Sequence, residues 1–204
     1  MLLHEKLKEF RVILASASPR RRELLSATGI EYTLAAKFEC EESYPSSLDA
    51  LEVASYLSEL KSVSYPNVLN YNDILITADT VVVLGDRVLG KPQDEAEARK
   101  MLADLSGSEH TVVTGVTLRT AERRHTFSSR SVVRFAELTE EQIEYYIANY
   151  RPMDKAGAYG IQEWIGYVGI EGIEGSFYNV MGLPVQRLCK ELECFIEALP
   201  SCYM

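Results

Sequence analysis

The chain has 204 residues, 47% hydrophobic and 25% charged, which are ordinary proportions for a globular protein of one sizeable domain or two small lobes. Its formal net charge of −9 argues against non-specific binding to nucleic acid or to a membrane surface, and still allows a local basic pocket for a small anion. Cys40, Cys189, Cys194 and Cys202 form no CxxC pair, which disfavours a zinc site and a disulfide framework, and no stretch reaches the apolar length of a membrane span.

The opening MLLHEKLKEF places Glu and Lys where a secretory signal would be apolar. We read residues 1–10 as a short extra helix or arm on a single domain covering 1–204, in a cytoplasmic protein with reduced thiols. Residues 11–15 (RVILA) follow as a short strand. Next come the small residues Ser16, Ala17 and Ser18, then a helix with Ser18 as N-cap and Pro19 in its first position, ending at Gly29. Arg20, Arg21 and Arg22 occupy the first turn, where the helix dipole is already positive. Either they form a solvated basic helix start, or an anion docks there on backbone amides and guanidinium groups. The coincidence of strand, small loop and helix favours the anion site, and helical spacing lets only some of the arginines face it.

Residues 31–36 read as a second strand. The loop after it, KFECEE, carries three carboxylates, which suit Mg²⁺ together with water and phosphates or simply form a solvated acidic loop. A helix opens at Pro45 and Ser47 and runs to about residue 63. Lys61 lies beside its apolar stripe, where spacing alone describes a snorkelling lysine. Residues 74–92, ILITADTVVVLGDRVLGKP, organise the rest. Two short β-branched runs flank Asp79-Thr80, and a carboxylate inside buried strand sequence is unfavourable unless cations, a metal or several donors face it. Asp79 is therefore either a functional group or a solvated strand end. Gly85-Asp86 is hairpin chemistry, and a hairpin there would carry Lys91 back toward Asp79.

Asp94 and Glu97 form a capping-box pattern for a helix ending at Gly107. Residues 111–119 and 125–135 read as a long hairpin, and Thr139 and Gln142 cap a further helix. His4, His110 and His125 have no partner at metal-ligand spacing and receive no role. Residues 152–184 hold seven of the twelve glycines and read as a loop-and-strand segment that wraps a ligand or turns tightly. Within it, Gln162 either reads the edge of a pyrimidine or bonds nearby backbone, and Trp164 reads as packing. Pro184 opens the last helix, whose apolar face of Val185, Leu188, Cys189, Leu192, Phe195 and Ile196 is core.

Six blocks in order, SASPRRREL, the Lys61 helix, ADTVVVLGDRVLGKP, SGSEHTVVTGV, DKAGAYGIQ and GSFYNVMGLP, resemble the signature of the Maf family of nucleoside-triphosphate pyrophosphatases from about residue 12 to 192. The resemblance implies an α/β fold: a long twisted mixed β-sheet flanked by helices, with two lobes around a cleft, related to the inosine-triphosphate pyrophosphatases. It assigns Asp79 as proton acceptor and metal ligand, Glu41 (or Glu39) as the acidic partner at the metal, and Ser16, Arg21, Lys61 and Lys91 as phosphate ligands. Arg20, Thr80 and Gln162 match the positions linked to substrate choice, and Thr80 with Gln162 marks the dTTP/UTP branch rather than the 7-methyl-GTP branch. Cys40 departs from the usual acidic pattern, and the N-terminal arm is longer than usual. A divalent cation (Mg²⁺, Mn²⁺ or Co²⁺), a nucleoside triphosphate as substrate, and a homodimer are implied with it. Water activated by Asp79 and the metal would attack the α-phosphorus and release pyrophosphate. The rival reading is a nucleotide-binding regulator of cell division without turnover. A phosphotransferase finds no GxxxxGK[ST] pattern to support it.

Overall fold

The computed structural model describes residues 1–199, and Cys202 lies outside them. Strands β1 (Arg11–Leu14), β2 (Thr33–Leu34), β3 (Asp73–Leu84), β4 (Arg87–Leu89), β5 (Glu109–Arg119), β6 (Arg124–Phe135) and β7 (Ile170–Glu174) form one mixed sheet. Its order is β2-β1-β3-β5-β6-β7, with β4 also paired to β3. β1 runs parallel to β2 and β3, and every other pairing is antiparallel. Helices α1 (Leu3–Lys6), α2 (Pro19–Ser26), α3 (Val53–Val63), α4 (Glu95–Leu105), α5 (Glu140–Tyr150), α6 (Trp164–Val168), α7 (Phe177–Met181) and α8 (Val185–Glu197) complete the chain.

Strand alternation sorts the core into layers. On one face of the sheet Val81, Val83 and Val113 pack under Val53, Ala54 and Leu57 of α3. On the other, Ile74, Ile76 and Val82 join Leu102 of α4 and Leu188 and Leu192 of α8 in the largest apolar cluster. The two apolar runs around Asp79 are one continuous twelve-residue strand, so the strand-end reading of Asp79 is excluded. The second predicted strand shrinks to Thr33–Leu34. The predicted 45–63 helix begins only at Val53, because Asp49 accepts the Leu51 N–H and closes a separate turn first. Likewise α2 stops at Ser26, with Gly29 at φ +76° in the reversal that follows. Thr139 and Gln142 do form a reciprocal capping box. The N-terminal arm is folded: Leu7 is buried in the core, and Lys6 pairs with Glu193 and Glu197 of α8.

β1 and β4 share one edge of β3 but do not meet. β1 pairs along Asp73–Ile76, the Ala15 N–H reaches the Ile76 carbonyl, and β4 begins only opposite Val82. Residues 77–81 therefore present an unpaired edge inside a sheet that is continuous on its β5 side. That break is the floor of a cleft between two lobes, and it is where strands diverging from a shared neighbour leave room for a ligand.

Asp73 anchors the start of this strand. Its carboxylate is buried, takes a two-pronged bond from Arg11 (2.7 and 2.6 Å) and accepts the Asn70 N–H at 2.8 Å. Burial alone would raise its pKa, but the bonds from Arg11 and Asn70 outweigh burial and hold it below the ordinary carboxylate range. A depressed folded pKa contributes stability above the unfolded value near about 3.9, and that stability disappears as pH falls through the folded value. Asp73→Ala should therefore lower unfolding stability at neutral pH by on the order of 2–3 kcal/mol. The difference from wild type should shrink below about pH 4, measured by urea unfolding across pH.

Candidate active site

The cleft encloses a cavity of about 490 Å³, within the range of small-molecule sites. Six cations, Arg20, Arg21, Lys37, Lys61, Lys91 and Lys155, line it against three carboxylates, Glu42, Asp79 and Asp154. A chain of net charge −9 thus builds a positive pocket. Field lines concentrated in such a cleft attract anions whatever the overall charge.

Asp79 projects from the unpaired stretch of β3 and is 8% exposed. Lys61, reaching over from α3, bonds Asp79 Oδ1 at 2.5 Å and Glu42 at 3.1 Å. The side chain that spacing alone described as snorkelling is the counter-ion of the buried carboxylate. It is placed by the packing of α3 on β3 and β5, where Thr77 Oγ1 donates to the Ser58 carbonyl. Glu41 does not line the cavity; Glu42 does. In the extended loop alternate residues face opposite ways. Cys40 and Glu42 line the cleft, with Cys40 Sγ 3.5 Å from Ser64 Oγ, whereas Glu39 and Glu41 do not.

The three consecutive arginines diverge. Arg22 is absent from the cavity wall, and its carbonyl accepts the Tyr32 hydroxyl at 3.0 Å. Arg20 donates to the Met181 carbonyl at 3.3 Å and pairs with Asp154 at 3.2 Å. Arg21 lines the cavity, yet all three of its guanidinium nitrogens are engaged by protein oxygens. Nε donates to the Gly182 carbonyl (2.8 Å), Nη1 to the Ala78 carbonyl (2.9 Å) and more weakly to Ser16 Oγ (3.4 Å), and Nη2 to Thr80 Oγ1 (3.0 Å). It satisfies the open edge of β3 where no strand can. Burial lowers its pKa and the charge of Asp79 raises it, yet a guanidinium remains charged throughout.

Thr80 alternates to the opposite side of β3 from Asp79. Its hydroxyl meets Arg21, Thr114 Oγ1 (2.9 Å) and the Gly182 carbonyl (3.4 Å). Ser16 lines the cavity and accepts the Ser18 N–H at 3.3 Å. Lys91 also lines it, carried there by the β4 hairpin, whose end is tied down by the Gly157 N–H donating to the Gly90 carbonyl at 3.0 Å. Gly157 sits at φ +66° with a would-be Cβ 2.9 Å from Val82, so this approach requires glycine. Gln162 lines the cavity, and its Oε1 is buried with no protein partner. The alternative in which Gln162 bonds neighbouring backbone through that oxygen does not hold. Trp164 packs on Tyr145, with ring centroids 4.8 Å apart. His110 is buried against Tyr159, and burial pushes its pKa down to about 4.

Sequence reasoning missed Lys155 and Asp154. Lys155 is 7% exposed, with Nζ 2.7 Å from Asp154 and 3.1 Å from Glu163. The available signal was an adjacent opposite-charge pair set in a glycine-rich run.

These residues sit in a chain with close relatives. A protein named dTTP/UTP pyrophosphatase from Phocaeicola vulgatus is 52% identical over 189 residues, covering 93% of this chain and 98% of that protein. One of the same name from Bacteroides thetaiotaomicron is 49% identical over 187 residues, covering 92% and 97%. The solved structure of the Staphylococcus aureus Ham1 protein aligns with a TM-score of 0.51 at 15% identity, covering 91% of this chain and 99% of that one, a likeness of fold. The family model described as Maf-like protein matches residues 11–195, and with relatives near half identical along almost their whole length, the chain belongs to the Maf family.

Proposed function

We propose that the chain hydrolyses nucleoside triphosphates to the monophosphate and pyrophosphate, with dTTP and UTP as its preferred substrates. The observation that carries this reading is Asp79, a carboxylate on the unpaired edge of a central strand, facing a cavity rich in cations. The names of the relatives supply the substrate class. The free Oε1 of Gln162 supplies an acceptor for a ring N–H, which the hydrogen-bonding edge of thymine or uracil offers.

In this reading Asp79 takes a proton from the water that attacks the α-phosphorus. Lys61 holds that carboxylate in place, and Arg20, Lys91 and Lys155 neutralise the phosphates and the charge that develops on the leaving pyrophosphate. Arg21 braces the wall through Gly182, Ala78 and Thr80, and its remaining N–H faces the cavity where a phosphate would lie. The donor set fits a hard divalent cation. Asp79 and Glu42 converge on the single Lys61 ammonium, and no group of three or more metal-ligating side chains exists among the described residues. Glu42 and Asp79, the two cavity carboxylates that share one ammonium, are the residues that would hold a divalent ion together with water and substrate phosphates. When bound it would lower the pKa of the attacking water and neutralise phosphate oxygens.

The chain would act as a homodimer on a free nucleotide. No helix among the described residues is long and apolar enough to cross a membrane. The test is a panel of dTTP, UTP, CTP, GTP, ATP and 7-methyl-GTP with Mg²⁺, Mn²⁺ or Co²⁺, scored for monophosphate and pyrophosphate. Pyrophosphate from dTTP and UTP in preference to the rest is the expected outcome. Tight nucleotide binding without any pyrophosphate release would establish the regulator instead.

A further inference from the structure

One buried hydroxyl connects Gln162 and Arg20, two of the three residues linked to substrate choice. Tyr146, on α5, is fully buried, and its OH accepts the Gly160 N–H at 3.0 Å. That bond pins the turn two residues before Gln162. The same hydroxyl donates to Glu163 Oε2, immediately after Gln162. Glu163 Oε1 then holds Lys155 Nζ at 3.1 Å, Lys155 holds Asp154 Oδ1 at 2.7 Å, and Asp154 Oδ2 holds Arg20 Nη1 at 3.2 Å. Gly160 makes room for this pair: a Cβ there would lie 2.9 Å from the Glu163 carboxyl carbon and 3.0 Å from Lys155. The chain of contacts runs from a core helix to the cavity wall in alternating charge, and it reaches both Gln162 and Arg20 without touching Asp79 or Lys61.

We propose that Tyr146 is a positioning residue for base selection: its hydroxyl sets Gln162 through the flanking Gly160 and Glu163. The inference rests on the pyrophosphatase reading and deepens it. Removing the hydroxyl leaves the ring in the core and the catalytic carboxylate untouched, but frees the turn that presents the Gln162 acceptor. Discrimination between bases then falls, while grip on phosphates does not.

The experiment compares wild type, Tyr146→Phe and Glu163→Gln. It reads kcat/KM for dTTP, CTP and GTP, inhibition by inorganic tripolyphosphate, and the melting temperature. In Tyr146→Phe the preference for dTTP over CTP and GTP should fall about tenfold, the worth of one well-made hydrogen bond. Tripolyphosphate, which has no base, should inhibit wild type and Tyr146→Phe within about twofold of one another, since Glu163 still holds Lys155 in that variant. Glu163→Gln keeps a hydrogen-bonding partner for Tyr146 but loses the negative charge that faces Lys155, and should reduce the preference in the same direction. Unchanged preference in both variants overturns the inference. So does an equal loss of dTTP turnover and tripolyphosphate inhibition, which is what a merely structural tyrosine would give. A wild-type chain that releases no pyrophosphate from any triphosphate overturns the activity and this inference with it. A wild type that discriminates beside variants that discriminate equally well overturns only the inference.

Discussion

Asp79→Asn should lower pyrophosphate release from dTTP by roughly 10³-fold, the scale of a lost general base, while nucleotide still binds. The argument is electrostatic. Asp79 lies in the middle of β3, nearly buried, and is balanced by Lys61 at 2.5 Å. The amide is isosteric and can still accept a hydrogen bond from that ammonium, and Glu42 remains as its second partner at 3.1 Å. The fold should therefore survive. The amide cannot take a proton from water, and with one negative charge gone the remaining cations should hold the triphosphate at least as firmly. Steady-state pyrophosphate release, with equilibrium binding of dTTP and a thermal melt, separates these effects. Turnover within about tenfold of wild type would remove Asp79 from the role of base. Lost turnover together with an early melt would mean that the substitution had damaged the strand instead.

Gly115→Ala should be nearly as harmful to activity, for a different reason. Gly115 on β5 is directly opposite Asp79 in the strand register, and α3 crosses over it so closely that a Cβ would lie 2.3 Å from the Ala54 carbonyl oxygen and 2.5 Å from the Ser55 nitrogen. Backbone cannot move aside as a side-chain tip can, so the helix must shift. Overpacking of this kind costs about 1–3 kcal/mol, and here the upper end applies. Lys61 lies about two turns further along the displaced helix, so its ammonium leaves Asp79. A displacement on the order of 1 Å at such a site lowers rate by roughly 10²-fold. Denaturant unfolding and kcat should both fall. A variant with wild-type kcat would show that α3 need not touch the sheet here for Lys61 to work.

The local elements were legible because their signals are short-range. Thr139 with Gln142, Asp94 with the Glu97 N–H, and Pro19 after Ser18 each act within a few residues and appear where expected. Asp79 was legible for the opposite reason: a carboxylate in β-branched sequence violates the local rule and points to partners elsewhere. The loop carboxylates were not, because Glu39, Glu41 and Glu42 are chemically alike and only the direction of the loop selects Glu42. Nor was the divergence of the three arginines. Helical spacing says that they separate, but the oxygens that claim Arg21 come from Ala78, Thr80 and Gly182, distant in sequence.

The order of residues was enough to establish the chemistry available: one anomalous carboxylate, a basic helix start, two lysines near strand and helix ends, and a glycine-rich segment carrying Gln162. It could not say which of them meet. Lys61 became a counter-ion because α3 packs over Gly115, and Lys155 entered the cavity through a chain of contacts anchored on Tyr146. Asp79 gained an open edge because β1 ends and β4 starts at different points along the same strand. Composition and spacing act over a few residues, whereas a cleft that gathers cations around a few carboxylates depends on the distance between segments brought together by burying apolar surface, and that distance exists only once the layers have packed.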